Sequence, residues 1–435
     1  MLLPLRSLFA YLALSAAVLL FLPAAGSLGA LCVFAAVLLG WQDLRGVPRG
    51  IFAVAGLLLL LALVIAPGAL LQAADNMTRL AGVILAVMLL ASVLGRSRDL
   101  QAVSSSLFQG RAGARYGGIA FGTGLISVPL NFGAVALMGS LIRHRLDQQG
   151  DSPATRNATR AALRGFGISP LVSPLSISIA LTLTLLPGLS AVALLGVGIP
   201  LGLFILLLGT FWREPEIQPI GAVARDRVGA GPWLRFSGLI LLICLAVFLL
   251  SHYLEVSYAR AVATSCLATV LLALLWASLR GQSARLPEMS SVSNELAIVG
   301  GSAFIGSLVS ALILGGISTA VILPGWLWPL VALALPAVFF MAGMVGINPI
   351  VCGTLAGGIL GSLWPESALL GLGVAITGGW STTAMGTPYA ANALLMERFT
   401  GYRARHASQR WNQGLSRICL VLTGALAALL TWFAL

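Results

Sequence analysis

The sequence predicts an all-α polytopic membrane protein: about 11 transmembrane helices plus two opposed re-entrant hairpins in an inverted repeat. Three observations lead there. The 435 residues are 59% hydrophobic and only 9% charged, with mean hydropathy +1.00, whereas soluble proteins carry about a quarter charged residues. The 25 basic residues, all arginine, gather in short segments between apolar runs. Finally, two apolar blocks are interrupted by Asn beside Pro and Gly, at SVPLNFGAVALMGSLI (127–142) and MVGINPIVCGTLAGGI (344–359). A helix-breaking polar tip at membrane depth is tolerated only where protein or a water-filled cavity satisfies its backbone.

The charge pattern sets the topology. Apolar spans near 8–24, 26–40, 51–66 and 80–95 can each cross ~30 Å with their interfacial flanks. The segments 41–50 and 96–115 hold two and four arginines and belong inside; 67–79, read as a loop, holds one and belongs outside. The next apolar block, 116–142, is followed by 143–164 with five more arginines. Both flanks therefore seek the cytoplasm, and two full spans do not fit in 27 residues. A hairpin entered from inside, with its tip at Pro129-Leu130-Asn131, meets both demands. GFGISPLVSPLSISIALTLTLL (165–186) then crosses outward, broken by Pro170 and Pro174, and 190–211 returns.

The second half repeats the plan. After the linker 213–235 come spans at 236–253, 261–279 and 296–314, with RGQSAR (280–285) inside. The block 326–363 is flanked by segments without arginine, so it reads as a hairpin entered from outside, with its tip at Gly346-Ile347-Asn348-Pro349. A broken span follows over 368–396, then 397–417 with five arginines inside, and 418–435 exits. The repeats are thus 1–212 and 236–435. Asn131 and Asn348 are 217 residues apart, and Pro174 and Pro388 are 214 apart, as a duplicated unit requires. The N-terminus lies inside and the C-terminus outside. Residues 1–30 have the make-up of a signal peptide, but a second span follows at once, so an uncleaved first helix is expected.

The candidate substrate and ion site is where hairpin tips meet helix breaks. It comprises Ser127, Asn131, Gly133, Ser169, Ser173, Ser176, Asn348, Thr354, Thr383, Thr387 and Asn392, with Ser381 and Thr382 beside them. Broken helices offer free N–H groups to anions and free C=O groups to cations. A sodium ion is expected near Asn131, Ser173, Asn348 and Thr387. The competing explanation for each Ser or Thr is close helix packing; it is weaker for the two asparagines and for Gly386-Thr387-Pro388. Trp380 lies near the second break and would wall the site.

Other chemistries are disfavoured. No acid, Arg or His sits in the middle of an expected span, so a mechanism built on a buried carboxylate pair is disfavoured, and any coupling proton would use edge groups such as Glu295, Glu397 or His406. His144 and His252 read as interfacial. The five cysteines are scattered, without a CxxC, so neither a disulfide framework nor zinc is indicated. No cofactor is expected beyond coupling Na+ or H+, and no catalytic residue is assigned. The net charge of +12 is positive-inside bias and gives no reason to expect a nucleic-acid partner.

Two opposed hairpins, each followed by a broken helix, resemble the ion transporter superfamily. The likeness is to the divalent anion:sodium symporters and the arsenite or sodium–proton antiporter type of permease. In that family the hairpin tips read Ser-Asn-Thr and the broken helices Gly-Thr-Pro-Pro-Asn. Here Asn131 and Asn348 match the tips. Gly386-Thr387-Pro388 matches the second helix motif, with Tyr389 in place of the second Pro and the Asn delayed to Asn392. The resemblance implies a scaffold domain and a mobile transport domain working as an elevator, in a homodimer. The expected function is secondary active transport of a small anion or organic acid across the bacterial cytoplasmic (inner) membrane. The partners are that anionic solute and membrane lipid. The alternatives are a proton-coupled antiporter for an oxyanion or cation and, less favoured, a membrane enzyme acting on lipid-linked substrates.

Overall fold

A computed structural model describes residues 2–216, 229–282, 285–316 and 324–435. Within them all regular structure is helical. Ten helices, counting the two broken ones as one each, are long and apolar enough to cross a membrane. Most of the expected linker 213–235 and parts of 280–285 and of the segment before 326 lie outside the described residues.

The first helices are α1 (Leu2–Val18), α2 (Ala25–Leu39), α3 (Gly46–Ile65) and α4 (Pro67–Leu94). α1 and α2, at 17 and 15 residues, span about 25 Å or less. Pro23 and the left-handed Ala24 (φ 64°) turn the chain earlier than the expected span 8–24. α4 departs most from expectation, because residues 67–79 are helix and not loop. Pro67 occupies its first turn, where the missing N–H costs nothing. Its polar groups find partners on other helices: Asn76 Nδ2 donates to Ser307 Oγ (2.9 Å) and Thr78 Oγ1 to the Gly26 carbonyl (2.7 Å). At 28 residues α4 is ~42 Å long, so one end stands outside the ~30 Å hydrocarbon.

A short α5 (Arg98–Ser106) leads to α6 (Ala112–Leu130) and α7 (Phe132–Gln149), joined at Asn131 alone. α8 (Pro153–Gly167) begins three residues after α7, with Ser152 and Thr155 forming a reciprocal capping box. The charged stretch 143–164 is therefore almost entirely helical, since Arg, Gln, Leu and Ala all favour helix. The first broken helix continues through α9 (Ser169–Val172) and α10 (Ile177–Leu185). α11 (Ala191–Phe211), α12 (Ala230–Tyr253), α13 (Tyr258–Leu279) and α14 (Ser293–Gly316) follow. The second hairpin is α15 (Leu327–Met344), then α16 (Pro349–Leu355) and α17 (Gly361–Leu363) joined by a π-helical turn. The second broken helix is α18 (Leu369–Gly386) with α19 (Ala391–Thr400), and α20 (Trp411–Trp432) closes the chain.

Two bundles result. α1–α4 pack with α12–α14, while α6–α11 pack with α15–α20. Where they meet, α10 touches α4 and α13, α6 touches α4, and α16 lies on α14. Gly306 of α14 leaves room there for Thr354 of α16, the small-residue device that lets membrane helices approach.

Candidate functional site

Both hairpins have the same relation to the broken helix that follows. In the first, Tyr116 meets Arg164, Ala120 meets Gly165, and Gly124 lies by Ile168. α6 therefore runs parallel to α8 and brings its tip towards the 169–176 break. In the second, Pro336 and Phe339 lie against Gly379, Phe340 against Gly386, Gly343 against Thr383 and Thr387, and Gly346 against Tyr389. α15 thus runs parallel to α18 and its tip reaches the 387–390 break.

The tips differ chemically. Asn131 takes φ 48° and ψ −126°, a strained region for any residue with a Cβ. Its half-buried side chain makes no hydrogen bond among the described residues. At the second tip Gly346 supplies the positive φ (87°). Asn348 keeps ordinary extended backbone and accepts the Ile350 N–H (2.9 Å), capping α16. Phe132 packs its ring on Phe166 (centroids 5.3 Å apart), seating the first tip beside the first broken helix.

The two broken helices run antiparallel and touch. Thr182 lies by Gly373 and Gly167 by Met385, and Ser381 Oγ donates to the Gly167 carbonyl (2.8 Å). Around the first break the Ser176 hydroxyl caps α10, Ser178 donates to Pro170 O (2.8 Å), and Tyr258 of α13 donates to Pro174 O (2.9 Å). Ser173 is 1% exposed and its Oγ has no hydrogen-bond partner among the described residues. A buried unpaired hydroxyl carries a desolvation cost, so Ser173 stands out among the candidates.

Most other candidates spend their proton locally. Ser127 donates to Gly124 O, Thr354 to Ile350 O, Thr383 to Gly379 O, and Thr387 to Thr383 O. Each hydroxyl keeps lone pairs for a cation, but these bonds are also what helix packing alone would produce. Thr354 faces Gly306 of α14, away from the second break. Ser169 is buried and Gly133 half-buried, and Asn392 Nδ2 donates to Ala384 O (2.8 Å). No helix of one hairpin packs substantially on the other hairpin; the broken helices stand between.

Sequence reasoning missed the groups that seal the second break. Ser408 Oγ donates to Thr387 O (2.7 Å), and Asn412 Nδ2 to Met385 O (3.2 Å), closing the C-terminal carbonyls of α18. Asn412 Oδ1 in turn accepts from Arg164 Nε (2.7 Å). Arg164 is completely buried and also donates to the Tyr116 hydroxyl and the Gly209 and Trp212 carbonyls. Its partners among the described residues are all neutral. Two nearby arginines are paired with acids: Arg115 with Glu216, and Arg160 with Glu214 (2.6 Å). Counted as one more loop arginine, Arg164 carried no sequence signal of burial. Among the described residues no group of three His, Cys, Asp or Glu could hold a metal ion.

No protein-family model matches the chain, and no curated protein matches it. Among solved structures it is similar to the YdaH transporter of Alcanivorax borkumensis, whose crystal structure is described as revealing an unusual topology. The identity is 18% and the TM-score 0.47, over 83% of this chain and 85% of that one.

Proposed function

We propose that this chain is a secondary active transporter of the cytoplasmic membrane that moves a small anion or organic acid by alternating access. The observation that carries the reading is the crossing of two antiparallel broken helices at Gly167, Ser381 and Met385, with the fully buried Arg164 two hydrogen bonds behind it, through Asn412. A guanidinium with only neutral partners biases its surroundings toward negative charge. Neutral hydroxyls, amides and helix ends suit a solute that must be released as readily as it is bound.

In this reading the hairpins are re-entrant and opposed, and 1–212 and 236–435 are inverted repeats. The bundle α1–α4 with α12–α14 is the scaffold, through which two copies pair. The other bundle is the part that moves. Its support is the two-bundle packing and the matching hairpin-to-helix relation in each half. Coupling is to Na+ near Asn131, Ser173, Asn348 and Thr387, or to H+.

The test is a thermal-shift screen of purified protein against small anions, in sodium and in potassium, with Asn131→Gly and Asn348→Ala alongside. Glycine suits the positive φ at 131, so that variant removes the amide without adding strain. At least one anion is expected to raise the wild-type midpoint and to lose that effect in both variants. An equal response in all three proteins would overturn the assignment.

A further inference from the structure

The π-helical turn Arg405–Arg410, at the head of α20, has two working faces. The inner face carries Ser408, whose hydroxyl holds the Thr387 carbonyl at the second break, and Asn412 follows one turn on. The outer face opens on a cleft of about 420 Å³ lined by Arg403, Arg405, His406, Gln409, Arg410 and Gln413. The three arginines and the histidine are exposed, and none of the three arginines forms an ion pair among the described residues. Six acids of the chain are paired with other arginines: Asp43 with Arg6, Glu216 with Arg115, Asp147 with Arg143, Asp151 with Arg156, Glu214 with Arg156 and Arg160, and Asp99 with Arg235. Glu397, the nearest acid in the chain, turns Oε2 to the Ala404 N–H (2.8 Å).

Positive-inside bias explains arginines on this side of a membrane. It does not require three of them to converge with a histidine and two amides on one cavity. Guanidinium forks suit the paired oxygens of phosphate, and π-turns within helices are frequent at functional sites.

We propose that this cleft binds a phosphate group with net negative charge, and that occupancy steadies the 387–390 break through Ser408 and Asn412. The group belongs either to an anionic phospholipid of the adjacent leaflet or to a soluble phosphate; the recognition chemistry is shared. The site does not depend on the transport reading.

The experiment uses the full chain, stripped of lipid in neutral detergent. It is titrated separately with dioleoylphosphatidylglycerol, dioleoylphosphatidylcholine and inorganic phosphate, reading bound stoichiometry by native mass spectrometry. Arg405→Gln/Arg410→Gln is compared with Arg96→Gln/Arg98→Gln, which removes the same charge from another exposed arginine-rich segment. Wild type is expected to bind phosphatidylglycerol or inorganic phosphate ahead of phosphatidylcholine. The 405/410 variant is expected to bind it roughly tenfold or more weakly, and the 96/98 variant as wild type. Binding of phosphatidylglycerol alone assigns a lipid site; binding of inorganic phosphate alone assigns a soluble ligand. Should the 405/410 variant melt early, Arg403→Gln carries the same comparison. No binding of either probe, or equal loss in both double variants, would overturn the site. Amide hydrogen exchange over 385–391 is expected to slow on binding; unchanged exchange would overturn the link to the break.

Discussion

Gly167→Ala perturbs the point on which the site is built. A Cβ at 167 would lie 2.8 Å from Met385 Cβ and 3.0 Å from Met385 Cα, where ordinary carbon contacts need ~3.5–4.0 Å. Met385 is 0% exposed, and the opposing atoms are backbone and Cβ, so neither rotamer change nor a flexible tip relieves the contact. The two broken helices must separate by roughly 1 Å, which stretches the 2.8 Å bond from Ser381 to Gly167 O. Overpacking of this kind costs about 1–3 kcal/mol, and loss of the bond adds about 1 kcal/mol. Gly238→Ala in α12 is the control, since nothing lies within 4 Å of its added methyl and alanine favours helix by about 1 kcal/mol. In thermal unfolding of the detergent-solubilised protein, Gly167→Ala is expected to melt several degrees below wild type and Gly238→Ala at or above it. Solute-dependent stabilisation should be lost only in the former. If Gly167→Ala melts with wild type, the helices do not cross as described.

Further perturbations address the supports of the site. Arg164→Met leaves Tyr116, Asn412 and the Gly209 and Trp212 carbonyls without their common donor. A cost of about 1–3 kcal/mol for each acceptor left buried and unpaired should show as loss of monodisperse protein on size exclusion, partly restored by Arg164→Lys. Tyr258→Phe removes the bond between α13 and Pro174 O and should lower the melting midpoint by an amount equivalent to about 1 kcal/mol; no change would show that bond unformed. At the base of the first hairpin, Asp151 is held below the usual carboxylate range by hydrogen bonds from Arg156 first and Tyr402 next, against burial. A depressed carboxyl stabilises in full above its unfolded value of ~3.9 and loses that contribution as pH falls through the folded value. The midpoint difference between wild type and Asp151→Asn should therefore be constant from neutral pH to about pH 5 and vanish in stronger acid.

The all-helical membrane class was legible because composition alone enforces it. The helix breaks were legible because Asn131, Pro174 and Pro388 interrupt apolar sequence that has no other reason to contain them. Helix ends were not. Residues 67–79 and 143–164 were read as loops from their charge, yet charge does not oppose helix, and Asn76 and Thr78 are satisfied by residues far along the chain. The seal on the second break was invisible for the same reason: Arg164 and Asn412 are 248 residues apart, and no local pattern announces their meeting. Which hydroxyl faces which helix was not legible either: Thr354 lies against Gly306 of α14, and Ser127, Thr383 and Thr387 donate within their own helices.

The most direct measurement of solute handover is sidedness of access to the second tip. Asn348→Cys, in a chain with Cys32, Cys244, Cys266, Cys352 and Cys419 replaced, is exposed to a membrane-impermeant thiol reagent in right-side-out and inside-out vesicles. Alternating access predicts labelling from both faces, with the ratio shifted by the solute that stabilises the protein. Labelling from one face only, indifferent to every such solute, would contradict it.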